Sequence, residues 1–75
     1  MMPDDIEMNE EDVWQGPVLS DGRGFTGMKQ IVKKYTTPDG TKMFHVWGWP
    51  IREYEERLPE SEFRQWACKR MLPPP

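Results

Sequence analysis

The segment from residue 31 to residue 50 has the pattern of a β-hairpin, and it constrains the fold of this chain more than any other feature. Two runs rich in β-branched and aromatic residues flank the triplet Pro38-Asp39-Gly40. Proline presets φ, aspartate bonds the local backbone and glycine accepts a positive φ, so the triplet predicts a three-residue turn. We therefore expect two antiparallel strands, over 29–37 and 41–49.

Counting outward from this turn gives a register for the hairpin and two faces. On one face we expect the pairs Tyr35 with Met43, Lys33 with His45 and Ile31 with Trp47. On the other face we expect the pairs Val32 with Val46 and Lys34 with Phe44. Because both faces are partly apolar and an isolated hairpin is only marginally stable, we expect a small antiparallel sheet of two to four strands. A further strand would come from 17–19 or from 51–58.

The segment 59–72 has the spacing of an amphipathic helix. Its apolar side chains recur at helical intervals and form one stripe, made of Phe63, Trp66, Ala67 and Met71. Pro59 suits a first helical turn, and the prolines at 73–75 stop a helix. The sequence thus predicts an α+β domain in which one C-terminal helix packs on the sheet.

Charge is distributed unevenly along the chain. The first twelve residues carry six carboxylates and no basic residue, so their charge is −6. Because the net charge of the whole chain is −3, the remaining residues carry +3. Charge-rich segments with few aromatic residues bury too little apolar surface to fold alone. We therefore predict a disordered acidic arm over 1–12 and one small domain over 13–75.

Cys68 is the only cysteine, so the chain contains no internal disulfide, and a reducing compartment is the simplest expectation. No apolar run approaches the roughly 20 residues that a membrane-spanning helix needs. The N-terminal residues are acidic, unlike the basic start of a signal peptide. We expect a cytoplasmic protein without membrane contact, or a nuclear one if the host has a nucleus.

Catalytic side chains are scarce. General acid–base or nucleophilic catalysis needs convergent groups with adjusted pKa values, whereas this chain offers one histidine, His45, and one cysteine, Cys68, without a local orienting group. The same two residues are too few for the four ligands of a structural zinc site. We therefore expect no enzyme, no metal and no cofactor.

Two tryptophans lie two residues apart, at Trp47 and Trp49, and project from the same side if the strand continues. Tryptophan and tyrosine are enriched where protein partners anchor, and Tyr35 lies on the opposing strand. The sequence therefore predicts a small non-catalytic protein-binding module, of adaptor or inhibitor type, with Tyr35, Trp47 and Trp49 as its contact residues. Homodimerisation is another way to cover such a face.

Nucleic-acid binding is the alternative from a different functional class. Four lysines cluster on the hairpin beside aromatic side chains that could stack on bases: Lys29, Lys33, Lys34 and Lys42. Against this, the whole-chain pI is about 5.0, whereas nucleic-acid-binding domains typically exceed about 9.

The order of features over 28–71 resembles that of a chromodomain or a related chromo-like barrel. The resemblance is carried by a basic strand at 29–34, Gly40, an aromatic corner at 44–50, the pair Pro59-Glu60 and Phe63. It implies a small barrel that reads a methylated lysine through cation–π contacts, with the bound peptide added to the sheet as a strand. By this resemblance Trp47 and Trp49 would form two walls of the cage and Phe25 the third.

Overall fold

Five antiparallel strands form one sheet, and a single short helix packs on one of its faces, in a computed structural model that describes residues 2–3, 5–19 and 27–72. The elements in chain order are β1 (Val13–Gln15), β2 (Met28–Thr36), β3 (Lys42–Trp49), β4 (Glu55–Pro59), α1 (Glu60–Trp66) and β5 (Lys69–Leu72). Their order across the sheet is β4-β3-β2-β1-β5. The expected α+β class with one helix on a small antiparallel sheet is thus confirmed.

The β2–β3 turn has the predicted length. Gly40 adopts a φ of +92°, which glycine tolerates at low cost, and its amide donates to the Thr37 carbonyl at 2.9 Å. The Thr37 amide donates to the Thr41 carbonyl, also at 2.9 Å, which closes the three-residue connection. The Thr37 hydroxyl and the Thr41 amide both donate hydrogen bonds to the Asp39 carboxylate. These bonds, the one from Thr37 most of all, hold the pKa of that carboxyl below 3.8.

The predicted register is right near the turn and wrong beyond it. Lys34 faces Phe44 as expected, as do the neighbouring pairs Lys33 with His45 and Tyr35 with Met43. The register then shifts between Ile31 and Lys33, so that Ile31 faces Val46 and Trp47 faces Gln30. Val32 is the extra residue of a β-bulge, which moves every later pair by one position. As a result Ile31 lies on the buried face.

The C-terminal helix is shorter than predicted, and the sheet is larger. The helix ends at Trp66, because Ala67 already has an extended backbone with φ −69° and ψ 132°. The chain then forms β5, which pairs with β1. The Cys68 amide, just before β5, also donates a hydrogen bond to the Gln15 carbonyl of β1. The prediction of a helix over 59–72 is therefore wrong after Trp66, and Met71 lies on a strand. Strands β1 and β5 raise the expected two to four strands to five.

The core lies between the sheet and α1. The edge of the Phe63 ring meets the Phe44 ring with their centroids 5.4 Å apart, and Trp66 packs 5.5 Å from Phe63. The buried members of this core are Met8, Trp14, Ile31, Phe44, Val46, Phe63 and Ala67. Leu58 of β4 packs against them from the strand that precedes the helix.

The described part of the N-terminal segment packs on the domain, which differs from the predicted disordered arm. Met8 is only 1% exposed and belongs to the core. The Arg64 guanidinium donates from Nη1 to the carbonyls of Pro3 and Ile6, each at 2.7 Å. The Glu11 amide also donates to the Ile31 carbonyl at 2.7 Å. Met8 thus belongs to the same core as Phe63 of the helix.

We predict that Met8→Ala lowers the free energy of unfolding by about 2–5 kcal/mol, the usual cost of truncating a buried methionine. Urea unfolding followed by tryptophan fluorescence measures this change. Ile6→Ala is the matched control, because Ile6 lies on the same segment but is 39% exposed. Equal stability of the two variants would show that the segment does not pack against the core.

Candidate functional site

Side chains alternate across the hairpin, which gives the sheet two chemically different faces. Ile31, Phe44 and Val46 point into the core together with α1. The opposite side of β2, β3 and β4, here called the outer face, carries Met28, Gln30, Lys33, Tyr35, Met43, His45, Trp47, Trp49, Glu55, Arg57 and Pro59. The three predicted contact residues therefore share one face, and in the described part of the chain the helix lies on the other.

Trp47 occupies the middle of the outer face and is half-buried. Its indole Nε1 donates to the Gln30 side-chain oxygen at 2.7 Å. The Arg52 guanidinium lies 4.0 Å from the centroid of its ring, a cation–π contact. The indole is thus held in one orientation by a neighbour on β2 and by a cation from the segment that follows β3.

A row of basic side chains crosses the outer face in register. Lys33 faces His45, and His45 faces Arg57 on β4. Glu55 is the carboxylate beside this row, with Oε1 at 2.6 Å from His45 Nε2 and 4.0 Å from Arg57 Nη2. An apolar row of Tyr35, Met43 and Pro59 lies towards the hairpin turn, and on the other side Trp47 lies between Gln30 and Glu55.

The chain turns sharply at the end of β3 and forms a corner with a cleft. The Trp49–Pro50 peptide bond is cis, and the Gly48 amide donates to the Tyr54 carbonyl at 2.8 Å. A cleft of about 490 Å³ opens here, lined by Gly27, Met28, Lys29, Gly48, Trp49, Pro50, Ile51 and Tyr54. Ile51 is 66% exposed, the most exposed of the large apolar side chains in the described residues. Apolar surface therefore continues from Trp49 into the cleft.

Gly48 is where a side chain does not fit. A Cβ at this position would lie 2.9 Å from the backbone carbonyl oxygen of Ile51. We predict that Gly48→Ala lowers the free energy of unfolding by about 1–3 kcal/mol, the usual cost of overpacking, because a backbone atom must move. Thr36→Ala, at an exposed position of β2, is the control in the same urea titration. If Gly48→Ala lowers the free energy of unfolding no more than the control does, the Ile51 carbonyl does not pack closely against Gly48.

Lys29 is held inside the fold. Its Nζ lies 3.1 Å from Glu56 Oε1, 4.5 Å from the centroid of the Trp66 ring and 5.2 Å from that of the Tyr54 ring. Its side chain is only 19% exposed. One ammonium therefore links β2 to β4, to the helix and to the corner, an arrangement that sequence reasoning missed because its members are distant along the chain.

The contacts in this cluster shift the pKa values of Tyr54 and Glu56. The Tyr54 hydroxyl donates a hydrogen bond to Glu56, and that bond, with burial and the nearby charge, raises the pKa of Tyr54 to about 12. Burial would raise the pKa of Glu56, but hydrogen bonds from Tyr54 and Lys29 outweigh it and hold this pKa below 4.5. The Glu56 carboxylate thus stabilises the fold above pH 4.5, and this contribution is lost as the pH falls through its lowered pKa.

We predict that the Glu56→Gln variant titrates Tyr54 closer to the ordinary pKa of 10.0, because the charged acceptor is gone. The change is measured by the tyrosinate absorbance in an alkaline titration. Tyr35→Phe in both backgrounds assigns the signal to Tyr54, since the chain has two tyrosines. An unchanged Tyr54 titration would contradict the hydrogen bond.

The four lysines of the predicted nucleic-acid site point in different directions. Lys29 is in the cluster just described, and Lys33 lies on the outer face. Lys34 and Lys42 line a groove of about 490 Å³ that Tyr35 and Met43 also line. That groove also contains the acidic side chains Asp5, Glu7 and Glu60. The structure therefore does not gather these lysines into one basic surface.

The single histidine and the single cysteine each have a local partner. His45 is hydrogen-bonded to Glu55, and the Cys68 thiol lies 3.6 Å from the Trp66 carbonyl. Within the described residues there is no group of three or more His, Cys, Asp or Glu side chains that could hold a metal ion. No helix in the described part of the chain is long and apolar enough to cross a membrane.

Comparison of the chain with family models, with curated proteins and with solved structures found no match. The resemblance to a chromodomain therefore stays a prediction. Trp47 and Trp49 do share the outer face, as that resemblance implies, but Phe25 lies outside the described residues. Two aromatic rings, of Tyr54 and Trp66, contact a cation elsewhere, and that cation is the chain's own Lys29.

Proposed function

We propose that this chain is a small non-catalytic protein-binding module, of adaptor or inhibitor type, which docks a protein partner on the outer face. The observation that carries the proposal is the in-register set of aromatic and apolar side chains on the side of β2 and β3 away from the helix. Tyr35 pairs there with Met43, and Met28 pairs with Trp49. Such a patch is typical of interaction sites in a domain that already has a filled core.

The rigidity of this surface also supports docking. Trp47 is fixed by Gln30 and Arg52, so its binding would cost little side-chain entropy. Beside it, the corner cleft offers a concave apolar site next to the half-buried Trp49 and the exposed Ile51. Anchoring of a partner side chain in such a pocket is how most hot spots contribute affinity.

A catalytic role has less support. His45 is 18% exposed at its side chain and bonded to Glu55, and it lies on the outer face. Cys68 lies between α1 and β5, on the other side of the strand order from β3. A histidine base and a cysteine nucleophile would need to be within hydrogen-bond reach of each other. The outer face is thus better suited to recognition than to chemistry.

We predict that a displayed library of random peptides, selected on the immobilised full chain, yields binders that shift the amide NMR signals of the outer face. Tyr35→Ser should weaken these binders about tenfold, because it removes an aromatic contact from the patch. Val18→Ser is the matched control, since Val18 is an apolar side chain with 62% exposure outside the outer face. Circular dichroism of each variant confirms its fold.

Two results would overturn the proposal. One is a set of binders whose NMR shifts map to Lys34, Lys42 and Glu60 in the groove and leave Trp47 and Trp49 unchanged. The other is the absence of any peptide binder together with nucleic-acid binding that weakens steeply with salt, the behaviour of phosphate contacts.

A further inference from the structure

We infer that the partner presents an extended acidic segment to the outer face, with a carboxylate between two apolar side chains; this inference rests on the proposed function. It starts from the order of the rows. The basic row of Lys33, His45 and Arg57 lies between an apolar row containing Tyr35 and Met43 and a row in which Trp47 stands between Gln30 and Glu55. A complementary surface must place negative charge in the middle, with one apolar group opposite the Tyr35 row and another opposite Trp47.

The net charge of the outer face favours an acidic occupant. Its two cations, Lys33 and Arg57, outnumber its one carboxylate, Glu55, which leaves +1 on a chain whose total is −3, and the Arg52 guanidinium lies over the Trp47 ring beside them. Glu55 is already hydrogen-bonded to His45, and Arg57 is 61% exposed with its nearest carboxylate oxygen at 4.0 Å. Lys33 is exposed as well. Both ends of the basic row are therefore accessible to a carboxylate from outside.

The spacing of the rows indicates an extended segment. Residues two apart on a strand lie on the same face, about 7 Å from each other. An extended peptide presents its own alternate side chains at the same interval. The partner motif that fits the three rows is thus an apolar residue, any residue, an acidic residue, any residue and a second apolar residue. Aromatic or long aliphatic side chains would fill the apolar positions.

Two other occupants fit the outer face less well. A second copy of the chain would bring two positively charged faces together, which costs free energy. Nucleic acid would meet few cations here, since Lys29 is paired internally with Glu56 and both Lys34 and Lys42 line a groove that also contains acidic side chains. Its phosphates would also meet the apolar row of Tyr35 and Met43 on one side of the basic row, and Trp47 with the Glu55 carboxylate on the other.

The peptide selection tests this inference when its enriched sequences are aligned. We expect Asp or Glu two residues from a large apolar residue. A synthetic peptide from the most enriched group should bind the double variant Lys33→Glu, Arg57→Glu on the order of tenfold more weakly, because the basic row then repels the carboxylate of the peptide. The control is Lys42→Glu, Lys69→Glu, which changes the net charge equally at two exposed lysines outside the basic row. Replacing the acidic residue of the peptide by its amide should weaken binding to the original chain but not to the Lys33→Glu, Arg57→Glu variant.

The outcomes separate this inference from the proposed function. Peptides that shift the outer face but show no acidic bias, and that bind both double variants equally, would overturn the inference and leave the proposed function intact. If no peptide reaches the outer face, both are overturned. A dimer of the chain that is detected by sedimentation and is lost in Tyr35→Ser would also overturn the inference. So would nucleic acid that binds at Lys33 and Arg57.

Discussion

The packing of Phe63 against Phe44 is the interaction on which the rest of the structure depends. The two rings meet edge to face with centroids 5.4 Å apart, and both side chains are fully buried. A helix of seven residues has too few internal hydrogen bonds to be stable alone, so α1 exists because its aromatic side chains pack on β3. This contact also decides which face of the sheet is the core and which remains outside.

The short helix has a consequence for the beginning of the chain. Met8 fills the part of the core that α1 does not reach, and Arg64 of the helix holds the carbonyls of Pro3 and Ile6. Asp12 is completely buried at the end of this segment, where it accepts hydrogen bonds from Arg70 and the Asn9 amide at 2.8 Å each. A buried carboxylate needs such partners. The Asp12–Arg70 ion pair therefore holds β5 beside the N-terminal segment.

The same division of faces separates structural cations from accessible ones. Lys29 lies on the core side of β2 and is neutralised by Glu56 between two aromatic rings. Lys33 lies beyond the bulge at Val32 and points outward with Arg57. One extra residue in β2 therefore separates a lysine that stabilises the fold from a lysine that is available to a partner.

The sequence by itself determined the hairpin, because Pro38, Asp39 and Gly40 set the turn through local backbone preferences. It also determined that Tyr35, Trp47 and Trp49 share a face, because alternation along a strand is local. Only the tertiary structure decided the bulge at Val32, the end of α1 at Trp66 and the pairing of β5 with β1. The helical stripe predicted a helix as far as Met71, whereas the backbone is extended from Ala67 and Met71 lies on β5, which pairs with β1. The Lys29 cluster and the burial of Met8 likewise arise from contacts between residues far apart in the chain, which no local pattern encodes.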